Sequence, residues 1–246
     1  MKQKKRVRLG LAARSALFFA SLAEIRMHLK KLKERKVRIQ KLNRALKKLF
    51  PNAGIELNYH TPWELLVAVQ LSARCTDKMV NKITAKLFKK YKTLEAYVRA
   101  QPLVFEQDIK SSGFYRNKTK NILASAKIVK NKFGGRVPKT MEEMLTLPGV
   151  ARKTATVVLR EAYGITAGVT VDTHVIRFCT RYDLSTHRDP VKIEKDLMRL
   201  LPQGEWGAFT HLVIHYGRYL APARQYDTGK DPLVKIYPKA AKKFRV

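Results

Sequence analysis

The stretch richest in possible chemistry runs Leu145-Thr146-Leu147-Pro148-Gly149-Val150-Ala151-Arg152-Lys153-Thr154-Ala155. A helix starting near Met141 has to end before Pro148, because proline disfavours helix at the residue preceding it. Gly149 supplies a tight, open turn. A second helix starts near Arg152 and continues through Val157, Val158 and Leu159. Such a hairpin leaves consecutive backbone N–H groups unpaired at a helix N-terminus, where an anion such as phosphate binds with help from the helix dipole. An ordinary helical hairpin is the simpler meaning of a Pro-Gly pair taken alone. Nineteen residues beyond Lys153, after Gly164 and Gly168 interrupt the second helix, Asp172 precedes a helix over 173–182 and is placed to cap it.

The elements that must position these residues are almost all helical. No run shows sustained two-residue alternation, so an all-α fold is expected. Leu29, Leu32, Ile39, Leu42, Leu46 and Leu49 recur at helical spacing among Lys and Arg, and Pro51 stops the run. Pro62 suits a first helical position, opening a helix over 63–72. Thr76 or Asp77 is placed to cap a helix to about Tyr91. Shorter helices over 93–100 and 104–110 precede a longer one over 117–132, ended by Gly134-Gly135. Short loops between many helices predict a compact bundle of local contacts.

Charge narrows the partners. The chain of 246 residues carries a net charge of +32, yet 45% of it is hydrophobic, so it is a globular body and not a basic tail. The first fifty residues hold seventeen Lys and Arg against Glu24 and Glu34. A field of this size attracts a polyanion, either nucleic acid or an anionic surface. Cys75 and Cys179 are too few for a disulfide framework or a four-thiolate metal site, which fits an intracellular compartment. No apolar run is long enough to span a bilayer, so no membrane role is expected. The basic opening Lys2–Arg8 and the apolar run 16–23 resemble a targeting segment, although an amphipathic extension or a start at Met27 accounts for them equally.

The order of these motifs is similar to that of the endonuclease III family of helix-hairpin-helix DNA glycosylases. The resemblance is carried by Leu147-Pro148-Gly149-Val150-Ala151-Arg152-Lys153-Thr154-Ala155 followed by Val171-Asp172-Thr173-His174-Val175. It extends upstream through Pro62–Val69 and Leu71-Ser72-Ala73-Arg74-Cys75-Thr76-Asp77, and downstream through Gly113-Phe114-Tyr115 and Gly217-Arg218-Tyr219. It implies an all-α, two-lobed fold with the active-site cleft between the lobes. Residues 1–28 would form a basic extension, 55–165 a six-helix lobe containing the hairpin, and 29–54 with 166–246 a second helical lobe.

The resemblance also implies an activity. The chain would be a bifunctional DNA glycosylase and abasic-site lyase of base-excision repair, acting as a monomer on duplex DNA with damaged bases or abasic sites. Oxidised pyrimidines are the substrate class it suggests. Lys153 would attack the sugar C1′, displace the base and form a Schiff base. The amine must be deprotonated for this, and a place in the first turn of a helix beside Arg152 favours the neutral form. Asp172 would stabilise positive charge on the sugar and help deprotonate Lys153; capping is compatible with that role. Leu147, Gly149, Ala151, Arg152 and Thr154 would meet the DNA backbone. Arg74 and Phe114 would fill the gap left by an extruded base, with core packing an alternative for Phe114. His174 matches the family pattern, and no metal ligand lies at helical spacing from it.

Two departures stand out. Family members commonly end in Cys-x6-Cys-x2-Cys-x5-Cys, holding a [4Fe–4S] cluster. The same spacing here falls on Ala221, Thr228, Asp231 and Tyr237, so no iron–sulfur cluster, no metal and no other cofactor is expected. The basic tail, including Arg224, Lys230, Lys235 and Lys239, is expected to pack beside the hairpin instead. The second departure is Ala151, where a glycine usually completes the turn; alanine fits if its φ is negative. Two other functions remain open: a monofunctional mismatch glycosylase, and a DNA-binding protein that keeps the hairpin without catalysis.

Overall fold

A computed structural model describes the backbone of residues 2–224 and 226–242, with side chains within those limits from Glu24 onward. The residues of the suggested targeting segment have their side chains outside these limits. Every regular element among the described residues is helical: α1 (Lys2–Leu49), α2 (Pro62–Leu71), α3 (Asp77–Lys90), α4 (Leu94–Val98), α5 (Pro102–Ile109), a 3-10 turn (Lys110–Ser112), α6 (Tyr115–Lys132), α7 (Met141–Leu145), α8 (Arg152–Tyr163), α9 (Thr173–Arg181), α10 (Pro190–Leu200) and α11 (Trp206–His215). A wide π-type turn (Tyr216–Leu220) and α12 (Lys239–Lys242) complete the chain.

Threonine and aspartate set half of the twelve α-helix starts among the described residues. The side chains of Thr61, Thr76, Thr93, Thr140, Asp172 and Asp189 each accept a backbone N–H in the first turn of the helix that follows. Each removes one of the orphan donors of a helix N-terminus.

The buried apolar residues divide in two lobes. α2 to α8 enclose two adjoining cores, one around Tyr97, Phe105 and Ile122 and one around Leu65, Met144 and Val158. The lobe expected to hold six helices holds the seven from α2 to α8. The second lobe combines α1 with α9 to α12. Ile39, Leu42 and Leu46, spaced for one face of α1, are fully buried against Phe178, Tyr182, Phe209 and Tyr216. α1 is also held at Asp183, whose backbone is left-handed (φ 47°) at the end of α9. Arg35 donates to its carboxylate at 2.8 Å, and Arg38 to its carbonyl at 2.8 Å. Burial works against that carboxylate, but the hydrogen bond from Arg35 and the charges of both arginines hold its pKa below the usual value.

The tail is anchored in this second lobe, not beside the hairpin. Leu233 and Ala240 are buried in its core, and the Arg38 guanidinium lies 4.0 Å over the Tyr237 ring. α8 ties the lobes together. Arg152 forms a bidentate pair with Glu194 of α10 at 2.9 and 3.0 Å, Glu161 meets His211 of α11 at 3.0 Å, and Arg160 donates to the Gly207 carbonyl at 2.6 Å.

Candidate active site

The hairpin forms as its residues require. α7 ends at Leu145, and Gly149 adopts φ +73°. A Cβ there would lie 2.6 Å from the Asn121 side chain, so both conformation and space favour glycine. Ala151 sits at φ −86° and ψ 169°, ordinary extended backbone, so the missing glycine costs nothing. Its methyl group cannot cap α8, and no side chain among the described residues accepts the first-turn N–H groups of that helix. The turn therefore ends in an open set of donors.

Two residues expected at the DNA face are otherwise engaged. Leu147 is 2% exposed within the core, and its N–H already bonds Met144. Its side chain is a packing residue. The Arg152 guanidinium is neutralised by Glu194, which also raises its pKa. The push expected from Arg152 on Lys153 is thereby weakened, and Arg152 offers the cleft its backbone N–H.

Lys153 and Thr154, from α8, line a cleft of about 490 Å³ together with Asp172, Thr173 and His174 from the start of α9. Val69, Arg74, Cys75 and Asp77 close one side, and Glu56, His211 and Arg218 another. Lys153 is exposed and Asp172 is half-buried. One oxygen of Asp172, Oδ1, accepts the N–H groups of His174 and Val175, both at 2.9 Å. Among the described residues Oδ2 takes no hydrogen bond. The residue thus caps α9 with one oxygen and keeps the other uncommitted.

His174 is half-buried, and the Arg177 guanidinium lies 3.3 Å from its Nδ1. Arginine only donates, so Nδ1 accepts and the proton of the neutral ring sits on Nε2. Burial lowers the His174 pKa; Asp172 opposes this, and the charges of Arg177, Arg218 and Lys153 reinforce it. Its ring packs on Gly217, where a Cβ would come within 2.2 Å of Nδ1.

Sequence reasoning missed the charged rim. Arg218 spans the cleft edge, 2.5 Å from Glu56 and 2.7 Å from Asp77. Burial disfavours its charge, but Asp77 and Glu56 hold the guanidinium charged, with a raised pKa. The only available signal was the inclusion of Arg218 and Asp77 in matched motifs, since they stand far apart in sequence.

Arg74 and Phe114 flank a second pocket of about 310 Å³ with Asn117, Lys118, Asn121 and Gly149. Both have left-handed backbones, φ 55° and 49°. Phe114 is 60% exposed, which removes core packing as its purpose. The Arg74 guanidinium lies 5.4 Å from the centre of its ring.

Donor chemistry does not suit an iron–sulfur cluster. Ala221 is buried and has no donor side chain. Asp231 is buried and spoken for: its Oδ2 accepts the hydroxyls of Tyr182 at 2.8 Å, Tyr226 at 2.5 Å, and Tyr216, while Oδ1 accepts the Leu233 N–H at 2.9 Å. The Arg181 guanidinium stacks 3.6 Å over Tyr226 and donates to Tyr216 at 2.9 Å. Cys179 is fully buried, which pushes its thiol pKa far up, and Cys75 lies in the cleft. No four thiolates converge.

Comparison with known proteins agrees with this architecture. Residues 67–203 match the HhH-GPD superfamily of base excision DNA repair proteins. The chain is 47% identical to endonuclease III of Synechocystis sp. over 212 residues, 86% of this chain and 97% of that protein. It is 44% identical to endonuclease III of Bacillus subtilis, covering 76% and 86% of the two chains. A solved non-covalent endonuclease III–DNA complex superposes with a TM-score of 0.81 at 40% identity, covering 86% of this chain and 99% of that one. The chain belongs to the endonuclease III family within the HhH-GPD superfamily. It is a base-excision repair DNA glycosylase and abasic-site lyase, and it binds DNA. No helix among the described residues is long and apolar enough to cross a membrane.

Proposed function

We propose that Lys153 is the nucleophile of this enzyme and Asp172 its carboxylate partner, acting on oxidised pyrimidines in duplex DNA. The observation that carries this reading is their convergence: one residue from each lobe lines a single cleft beside an open helix N-terminus. The Lys153 amine attacks C1′, the C1′–N bond breaks, and the base leaves with the bonding pair and a proton. The attached amine gives up a proton, the C1′–O4′ bond of the sugar ring breaks with O4′ taking a proton, and the nitrogen lone pair closes the C1′=N Schiff base. Loss of a C2′ proton then expels the 3′ phosphate. Asp172 holds negative charge against the developing positive charge of the sugar and receives the proton of the Lys153 ammonium.

The N–H groups of Gly149 and of Ala151 through Thr154 hold a backbone phosphate without reading sequence, while that of Val150 is taken by the Leu147 carbonyl. Arg74 and Phe114 enter the gap left by the extruded base, and the Nε2–H of His174 is offered to the cleft as a donor. The enzyme works as a monomer, inside the cell, without an iron–sulfur cluster. Buried Asp231, Tyr182, Tyr216 and Arg181, with the partly buried Tyr226, fasten the tail where thiolates would otherwise stand. Iron and acid-labile sulfide measured on the purified chain are expected to be absent, and stoichiometric amounts would refute the iron-free reading.

The mechanism is tested by borohydride trapping on abasic-site DNA. A covalent adduct is expected with the wild-type chain and not with Lys153→Ala. A wild-type chain that excises bases without trapping would be a monofunctional glycosylase. One that binds DNA but cleaves nothing would be a non-catalytic hairpin protein.

A further inference from the structure

Lys118 is the one lysine of α6 whose side chain is drawn inside the protein. It is 6% exposed, and among the described residues no carboxylate pairs with it. Its ammonium donates to the Leu71 carbonyl at 2.7 Å and to the Ser112 carbonyl at 2.8 Å. Leu71 ends α2 and Ser112 ends the 3-10 turn. Arg74 follows the first by three residues, and Phe114 follows the second by two.

We propose that Lys118 is the positioning residue for base extrusion, clipping together the two corners that present Arg74 and Phe114 to the duplex. The inference rests on the gap-filling reading of those two residues. Each corner leaves a chain end with carbonyls that its own helix does not satisfy. One ammonium serves both, and so fixes the separation of the two left-handed residues. Lys118 also lines the pocket between them, with Arg74, Phe114 and Asn117. Burial lowers the pKa of this amine and the neighbouring Cys75 opposes that shift, consistent with a lysine kept inside for geometry. A buried charge held by carbonyl dipoles alone is costly to keep. Methionine would fill the same volume without that cost, which argues for a functional use.

The test uses the full chain with Lys118→Met and Lys118→Arg on two probes. One is a duplex carrying thymine glycol, where a base must be extruded and the gap filled. The other is a single-stranded abasic oligonucleotide, which has no gap. Under single-turnover conditions Lys118→Met is expected to slow excision from the duplex by roughly 10- to 100-fold, while single-strand cleavage stays within about twofold. Lys118→Arg, which keeps the donors, is expected to recover much of the duplex rate. Equal losses on both probes would overturn the proposal, as would an unchanged duplex rate. If Lys118→Met folds poorly, it is compared in an Arg74→Ala/Phe114→Ala background, alongside the parent double variant. The clip predicts no further duplex loss there, and an additive loss refutes it. Wild-type excision of thymine glycol, measured in parallel, separates failure of this inference from failure of the substrate assignment.

Discussion

Two helices begin at the same cleft, and they treat their N-termini in opposite ways. α9 is closed by Asp172, whose Oδ1 takes two backbone N–H groups. α8 is left open, because Ala151 has no side-chain acceptor. A capped terminus holds a carboxylate in place; an uncapped one keeps its positive end for an anion from outside. Under the proposed mechanism, one kind of local structure serves two needs of a lyase, a fixed negative group for the sugar and a vacant positive one for the phosphate.

The comparison breaks most completely at Lys153. Lys153→Ala should leave both termini intact and DNA binding nearly unchanged, yet remove strand cleavage by roughly 10³-fold or more; cleavage within tenfold of wild type would contradict this. Asp172→Asn separates the two uses of the carboxylate. An amide oxygen still caps α9, so stability measured by urea unfolding should change by less than ~1 kcal/mol, while turnover falls by about 10²-fold. Asp172→Ala should add the loss of the cap, about 1 kcal/mol.

Closing α8 inverts the experiment. Ala151 already has N-cap dihedrals, so Ala151→Asp should stabilise the free protein by about 0.5–1 kcal/mol and weaken DNA binding by roughly tenfold, with a shallower salt dependence. Tighter binding would mean that the hairpin does not use these donors. The smallest effect is a pH dependence at the α9 end. The His174 pKa is lowered by folding, so above 6.5 the ring is neutral in both states and contributes nothing. As pH falls below 6.5 the unfolded chain takes up the proton first, and stability declines. His174→Gln should flatten that part of a stability–pH curve, and an unchanged slope would show that another group titrates there.

Local rules made much of this legible. Proline and glycine placed the hairpin, Pro62 and Thr76 announced the starts of α2 and α3, and a leucine stripe identified the buried face of α1. Lys153 and Asp172 stand in short motifs that single them out in the sequence, and the fold brings both to one cleft. What escaped was set by pairing across long separations. Nothing near Arg152 foretells Glu194, forty-two positions later, and Arg218 meets Asp77 across 141. Leu147 was misplaced because its motif describes a turn, whereas its burial depends on the helices packed around it. Lys118 looked like one more cation on a basic helix, since its two carbonyl partners lie on other elements.

The left-handed corners at Arg74 and Phe114 bear on how such an enzyme diversifies. A positive φ at a residue other than glycine costs on the order of 1 kcal/mol for nearly any side chain, and here that cost is already met by the scaffold. Exchanging one large residue for another at either corner therefore leaves the backbone free-energy balance almost where it stood. On the proposed gap-filling role, single-codon changes at these two positions alter what is presented to the unpaired base without asking the rest of the chain to adapt. That role would give lesion and partner-base preference an evolutionary route that bypasses the core.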